Sequence, residues 1–187
     1  MAVRTATDAD LDACRAIVRG LPDYFTPDVQ VKIAHDLAAH GRWVITADGD
    51  DVTGFAIAEV RRSRAAEILW LAVCAVRRHR GIGTALLDHV LATLAAQGVT
   101  LVEAKTLDAS AAYQPYLATR AFWERHGFVQ VDTIDPLPGW RRGNPAAIYV
   151  CAVRPTRADV DRLPETRLAR SNSPVRVIRS SRSHECV

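Results

Sequence analysis

EILWLAVCAVRRHRGIGTALL, residues 67–87, decides the fold of this chain. From Ile68 to Val76 no charge interrupts the apolar run, so the segment reads as a central strand covered on both faces. It gives way to a basic, glycine-containing turn. Beyond Thr84 the positions Leu86, Leu87, Val90, Leu91 and Leu94 form a helical stripe that Gly98 terminates. VTLVEAKTL, residues 99–107, then reads as another strand. Strand, turn, helix and strand follow one another as in a crossover unit, which calls for a sheet with a parallel pair.

On the N-terminal side, AVRT (2–5) reads as a short strand, and Thr7 caps a helix that runs to Arg19 and is closed by Gly20. Thr26 and Pro27 open a second helix whose Val29, Ile33 and Leu37 share one face; Gly41 stops it. WVITA (43–47) and VTGFAIAEV (52–60) are strands joined by the turn ADGDD, a hairpin signal. On the C-terminal side, Pro115 opens a helix that Gly127 closes. FVQVDTI and AAIYVCAV supply two last strands around the long loop DPLPGWRRGNP.

The composition narrows the function classes. With 187 residues, 49% apolar and 24% charged, the chain suits one soluble core plus a tail. Residues 1–155 are the expected domain; residues 156–187, rich in arginine and serine, are the expected mobile tail. The net charge is +3, but seven arginines and four acids lie after Pro155, leaving 17 basic and 17 acidic residues in the body. A neutral body does not favour nucleic acid as partner, although the tail keeps that as a third reading. The longest apolar runs are under half of the ~20 residues a membrane helix needs. MAVRTATDAD lacks the basic start and apolar centre of a secretory signal, so the cytoplasm is the expected compartment. Four scattered cysteines suggest neither a disulfide framework nor a metal site.

The chemistry concentrates at Arg78-His79-Arg80-Gly81-Ile82-Gly83. Two glycines at the start of a helix let the backbone approach an anion, and unpaired amides there supply partial positive charge, so a pyrophosphate fits. The spacing is neither that of the Walker loop nor that of the dinucleotide fingerprint.

LAVCAVRRHRGIGTALL resembles the acetyl-CoA-binding segment of the GNAT superfamily of N-acetyltransferases. Arg78, Gly81 and Gly83 match its R/Q-x-x-G-x-G/A pattern. AFWERHGF resembles a second family segment, F-Y-x-x-x-G-F, through Gly127 and Phe128. The resemblance spans about residues 1–154. It implies an α+β GNAT fold: a twisted mixed sheet of six to seven strands, splayed between the fourth and fifth, with about four helices. It further implies acetyl-CoA as cosubstrate, no metal, and an amine acceptor, small molecule or protein. A homodimer is compatible with it.

Site roles follow from the same resemblance. The pantetheine arm is expected along Leu71, Ala72 and Val73, and the pyrophosphate on the turn formed by Arg78, His79, Arg80, Gly81, Ile82, Gly83 and Thr84. Glu67, fourteen residues before Gly81, stands where histone-type members carry a catalytic glutamate and is the expected base. Trp123 occupies the usual tyrosine position beside the cofactor; its indole donates a hydrogen bond but no proton. Helix geometry, not the resemblance, offers Tyr116, two turns earlier, as the substitute proton donor, with Tyr113 a more distant candidate. Asp23, Tyr24 and Phe25 are the expected acceptor contacts, with Trp140, Arg141 and Arg142 as a covering loop. Loss of the tyrosine keeps a second reading open, a CoA-binding module without catalysis.

Overall fold

The computed structural model describes residues 2–46 and 51–154. Residues 47–50 of the expected ADGDD turn and the 156–187 tail lie outside the described residues. The strands are β1 (Ala2–Thr5), β2 (Gly41–Thr46), β3 (Val52–Arg62), β4 (Ala65–Val73), β5 (Leu101–Leu107), β6 (Val129–Ile134) and β7 (Ala146–Ala152). The helices are α1 (Leu11–Arg19), α2 (Pro27–Ala39), α3 (Ile82–Ala96) and α4 (Pro115–Arg125). Among the described residues no helix is long and apolar enough to cross a membrane.

The seven strands form one mixed sheet in the order β1-β2-β3-β4-β5-β7-β6. Only β4 and β5 are parallel, joined by the α3 crossover that the sequence predicts. β7, last in the chain, inserts between β5 and β6 and pairs antiparallel with both. The outer strand β6 slips register between Gln130 and Asp132, so Val131 is an extra residue.

β4 is covered on both faces, as its sequence requires. Ile68, Leu71 and Val73 pack toward α3, in a cluster with Leu86, Leu87, Val90 and Trp123. Leu69, Trp70 and Ala72 pack toward α1 and α2, with Ile17, Ile33 and Leu37. Leu69 and Trp70 are consecutive yet share a face because β3 pairs Ile57 with Trp70 and Ala58 with Ile68, leaving Leu69 as a bulge.

Two element ends beside the glycine turn differ from expectation. β4 stops at Val73 and Ala75–Arg77 form a single 3-10 turn, the Cys74 amide making the closing bond to the Thr53 carbonyl. α3 begins at Ile82 rather than Thr84, because Gly81 at φ 76° turns the chain into the helix and Ile82 is buried in the core.

Polar side chains tie down the ends of elements. Asp10 accepts two 2.7 Å bonds from the Arg4 guanidinium and further bonds from the Thr7 amide and hydroxyl, closing a capping box before α1. Arg4, opposed by burial and aided by Thr7, holds the Asp10 carboxyl far below its ordinary value of 3.8. The Ser110 hydroxyl and amide, again opposed by burial and aided by Gln130 and Thr133, do the same for Asp108 at the end of β5.

A carboxylate whose folded pKa is depressed stabilises the fold above its unfolded pKa. That contribution is lost as pH falls toward the folded value. Urea midpoints are therefore expected to hold steady at neutral pH and to drop below about pH 4, each carboxylate accounting for on the order of 2 kcal/mol. Asp10→Asn should flatten part of that drop.

Candidate active site

β4 and β5 pair over only four positions, from Ala65 opposite Leu101 to Ile68 opposite Ala104. Beyond Ile68 the strands part, so the β5-facing edge of Leu69–Val73 carries no strand partner. The splay expected between the fourth and fifth strands is there. It opens a cleft of about 1190 Å³ whose walls include Leu71, Ala72 and Val73.

At the far end of β4 the cleft reaches the start of α3. The first helical bond is from the Ala85 amide to the Gly81 carbonyl, 2.9 Å, so the amides of Ile82, Gly83 and Thr84 have no acceptor within the helix. They form an amide cradle of the kind that suits an anion. Arg78, His79, Gly81, Ile82, Gly83 and Thr84 line the cleft; Arg80 is exposed outside it. The two glycines serve different ends. Gly81 needs its positive φ and has open space where a Cβ would sit. Gly83, expected to clear the way for an anion, instead leaves room for α4: a Cβ there would lie 3.3 Å from Phe122 Cε2 and 3.7 Å from Val73 Cγ2.

Tyr24, expected at the acceptor, is a latch across the cleft. Its hydroxyl donates to the Pro115 carbonyl (3.0 Å) and accepts from Arg78 Nη1 (3.3 Å), and the Arg78 guanidinium sits 4.7 Å from its ring centre. Tyr116, expected to give a proton to sulfur, donates its hydroxyl to the Tyr24 carbonyl at 3.1 Å. Burial, with Tyr24 and Tyr113 adjacent, pushes its phenol up to about 12. Its proton is committed. Asp23 and Phe25 also line the cleft, Phe25 meeting Trp70 edge-on.

Glu67 lies at the fork and is buried. Oε2 accepts from Arg61 Nε (3.0 Å) and Nη2 (2.7 Å), and Oε1 faces Lys105 Nζ at 2.8 Å. Arg61 also holds Glu59, and Lys105 also holds Glu103. Arg61 is itself an extra residue, between Val60 opposite Ala66 and Arg62 opposite Ala65. Burial pulls the Lys105 ammonium down, but the Glu103 and Glu67 carboxylates outweigh it and hold its pKa above the ordinary value. Three carboxylates and two fixed cations leave the cluster a formal charge of minus one. Sequence reading finds Glu67 and misses Arg61 and Lys105, whose strands meet it only through register.

The β6–β7 loop forms the remaining wall. Trp140 and Arg141 line the cleft, and Arg141 Nη2 bonds Asp28 Oδ1 of α2 at 2.7 Å; Arg142 is exposed outside the lining. Thr106 of β5 and Trp123 of α4 also line the cleft; both are buried, and among the described residues their Oγ1 and Nε1 have no hydrogen-bond partner.

Residues 39–130 match the family model of the acetyltransferase (GNAT) domain, across the fork, the cradle and α4. The chain carries a GNAT acetyltransferase domain. Solved structures agree. A GNAT-family acetyltransferase from Desulfovibrio desulfuricans shares 26% identity at a TM-score of 0.67, over 81% of this chain and 98% of its own. The ribosomal-protein-S18-alanine N-acetyltransferase of Escherichia coli superposes with a TM-score of 0.64 at 21% identity, over 83% and 95% of the two chains. A GNAT acetyltransferase from Elizabethkingia anophelis with acetyl-CoA bound gives 0.60 at 16%, over 81% and 97%. The last two are likenesses of fold. No curated protein matches the chain in sequence. The mixed sheet and four helices are those of a GNAT acetyltransferase domain, with a tryptophan and a committed tyrosine on α4.

Proposed function

We propose that this GNAT domain, residues 1–155, is an N-acetyltransferase that passes the acetyl group of acetyl-CoA to a primary amine by direct attack. One observation carries the reading: a single cleft joins the amide cradle at the start of α3 to the anionic cluster around Glu67. Acetyl-CoA supplies the acetyl group as a thioester. The amides of Ile82, Gly83 and Thr84, with Arg78, hold the pyrophosphate, and the unpartnered edge of Leu71–Val73 receives the pantetheine arm as an added strand. The cluster's negative charge draws a protonated amine to the fork. Glu67 takes the amine's proton, directly or through a water, as its contact with Lys105 opens. Asp23, Phe25 and Trp140 border the acceptor.

The test is a panel of small amines and peptides with acetyl-CoA, following thiol release. Release that depends on the amine is expected; none with any amine overturns the enzyme reading. The alternative, a CoA-binding module without turnover, is favoured by α4, where the Trp123 indole is no acid and the Tyr116 hydroxyl is turned to the Tyr24 carbonyl. CoA binding without turnover would establish it.

Tyr116 in this reading supports the latch. Tyr116→Phe leaves the Tyr24 carbonyl without its donor and is expected to cost about 1 kcal/mol, a fall of roughly 2–4 °C in Tm, with turnover near that of the parent. Thermal denaturation and the thiol assay check both halves.

A further inference from the structure

Of the 24 lysines and arginines in the chain, two are lysines, Lys32 and Lys105. A guanidinium keeps its proton and does not act as an amine nucleophile, so these two carry the side-chain amines of the whole chain. Both line the cleft. Their settings differ. Lys32 is exposed on α2, its ammonium 5.8 Å from the Trp70 ring centre. Lys105 is on β5, one residue past Ala104, where pairing with β4 ends, and its side chain is 23% exposed.

Lys105 Nζ lies 2.8 Å from Glu67 Oε1, the carboxylate to which an acceptor amine has to present itself. Until one arrives, the amine beside the proposed base is the chain's own. The amide cradle lies at the other end of the free edge of β4, five residues and about 17 Å along the strand from Ile68 to Val73. A cosubstrate anchored in the cradle by its pyrophosphate extends its arm toward the fork, where Lys105 stands. Holding an amine, a base and a thioester in one enclosed space replaces a collision in solution.

We propose that Lys105 is a self-acetylation site, modified by acetyl-CoA bound in the cleft of its own chain when no other amine occupies the fork, an inference that rests on acetyl-CoA occupying that cleft. Glu67 takes one proton from the Lys105 ammonium, and the Nζ lone pair attacks the thioester carbonyl carbon. An N–C bond forms, the C–S bond breaks, and the departing sulfur takes the second proton from nitrogen. Glu67 then gives its proton to water, and nothing is oxidised or reduced. The Glu67 and Glu103 carboxylates both stabilise the ammonium, so the step is slow beside turnover of a free amine and ends at one acetyl per chain. It removes a cation from the cluster and leaves Glu67 to Arg61.

The experiment incubates the full chain with acetyl-CoA carrying a deuterated acetyl group, without added amine, and reads acetyl occupancy at each lysine by peptide mass spectrometry. Light acetyl acquired during expression is counted with the heavy label. Occupancy at Lys105 is expected to exceed that at Lys32, the comparison amine of the same chain, by at least about 10-fold. Excess CoA without an acetyl group should suppress the heavy label on Lys105 and leave Lys32 unchanged. Glu67→Gln should slow labelling of Lys105 by about 10²-fold or more, again without effect on Lys32. Dilution of the protein should leave the labelled fraction unchanged, as a reaction within one chain requires.

Equal labelling of the two lysines, or a label on Lys105 that survives excess CoA, marks solution chemistry and overturns the proposal. So does a label that grows with protein concentration, which marks transfer between chains. An unmodified Lys105 in a parent that binds acetyl-CoA by calorimetry overturns self-acetylation alone and leaves the proposed function to the amine panel. A parent protein that binds no acetyl-CoA overturns the underlying reading instead, and the inference with it.

Discussion

Replacing Glu67 with glutamine is expected to lower amine acetylation by about 10²–10⁴-fold while acetyl-CoA affinity stays near the parent value. The substitution keeps size and a carbonyl oxygen for Arg61, but it removes the carboxylate that would accept the amine's proton. It also sets an amide N–H₂ against the Lys105 ammonium, which now sits 2.8 Å from a Glu67 oxygen. The cluster loses its negative charge and two cations lose a shared partner, so a lower Tm accompanies the kinetic loss. The pH–rate profile separates the two effects. In Glu67→Gln the loss should persist at every pH at which the parent is active. Full activity at every pH in a variant of lowered Tm would reduce Glu67 to an anchor for Arg61 and Lys105.

Gly81→Asp should abolish cofactor binding without unfolding the domain. The position has φ 76° and open space beyond its Cα, so a side chain meets no clash, and aspartate tolerates the left-handed region better than most residues. What it adds is a carboxylate next to the amides of residues 82–84. Like charges set against each other cost several kcal/mol, which predicts an acetyl-CoA affinity lower by at least ~10²-fold in titration calorimetry. Gly81→Ala carries the backbone strain without the charge and should lose far less. Equal losses in the two variants would assign the effect to the loop's shape, and parent-like affinity in Gly81→Asp would remove the anion from this turn.

Local signals carried much of this architecture. The uncharged run from Ile68, the glycines at 81 and 83 and the leucine stripe of α3 were enough for a parallel crossover and for unpaired amides at the start of that helix, because strand, turn and helix each write their own pattern over a few residues. What escaped the sequence depends on pairing between distant segments. Leu69 and Arg61 are bulge residues, and a bulge belongs to the register of two strands rather than to either alone. The cations on Glu67 come from β3 and β5 and meet it only once that register is set. The Tyr116 hydroxyl finds its acceptor 92 residues away, at Tyr24, so helix periodicity placed the ring in the cleft but said nothing of where its proton goes. Gly83 was recognised for the right motif, yet its small size is needed by Phe122, a contact between helices.

The extra residue at Val131 also bears on how the molecule behaves in a crowded solution. β6 is an outer strand of the sheet, all six of its residues are exposed, and Val129 and Val131 are among them. A long, straight, apolar border of that kind templates the growth of aggregates. The slip between Gln130 and Asp132 breaks the regular spacing of outward amides and carbonyls, and at the opposite border β1 is only four residues long. Neither margin offers an incoming strand a long regular ladder, so the two exposed valines do not become a seed for stacking.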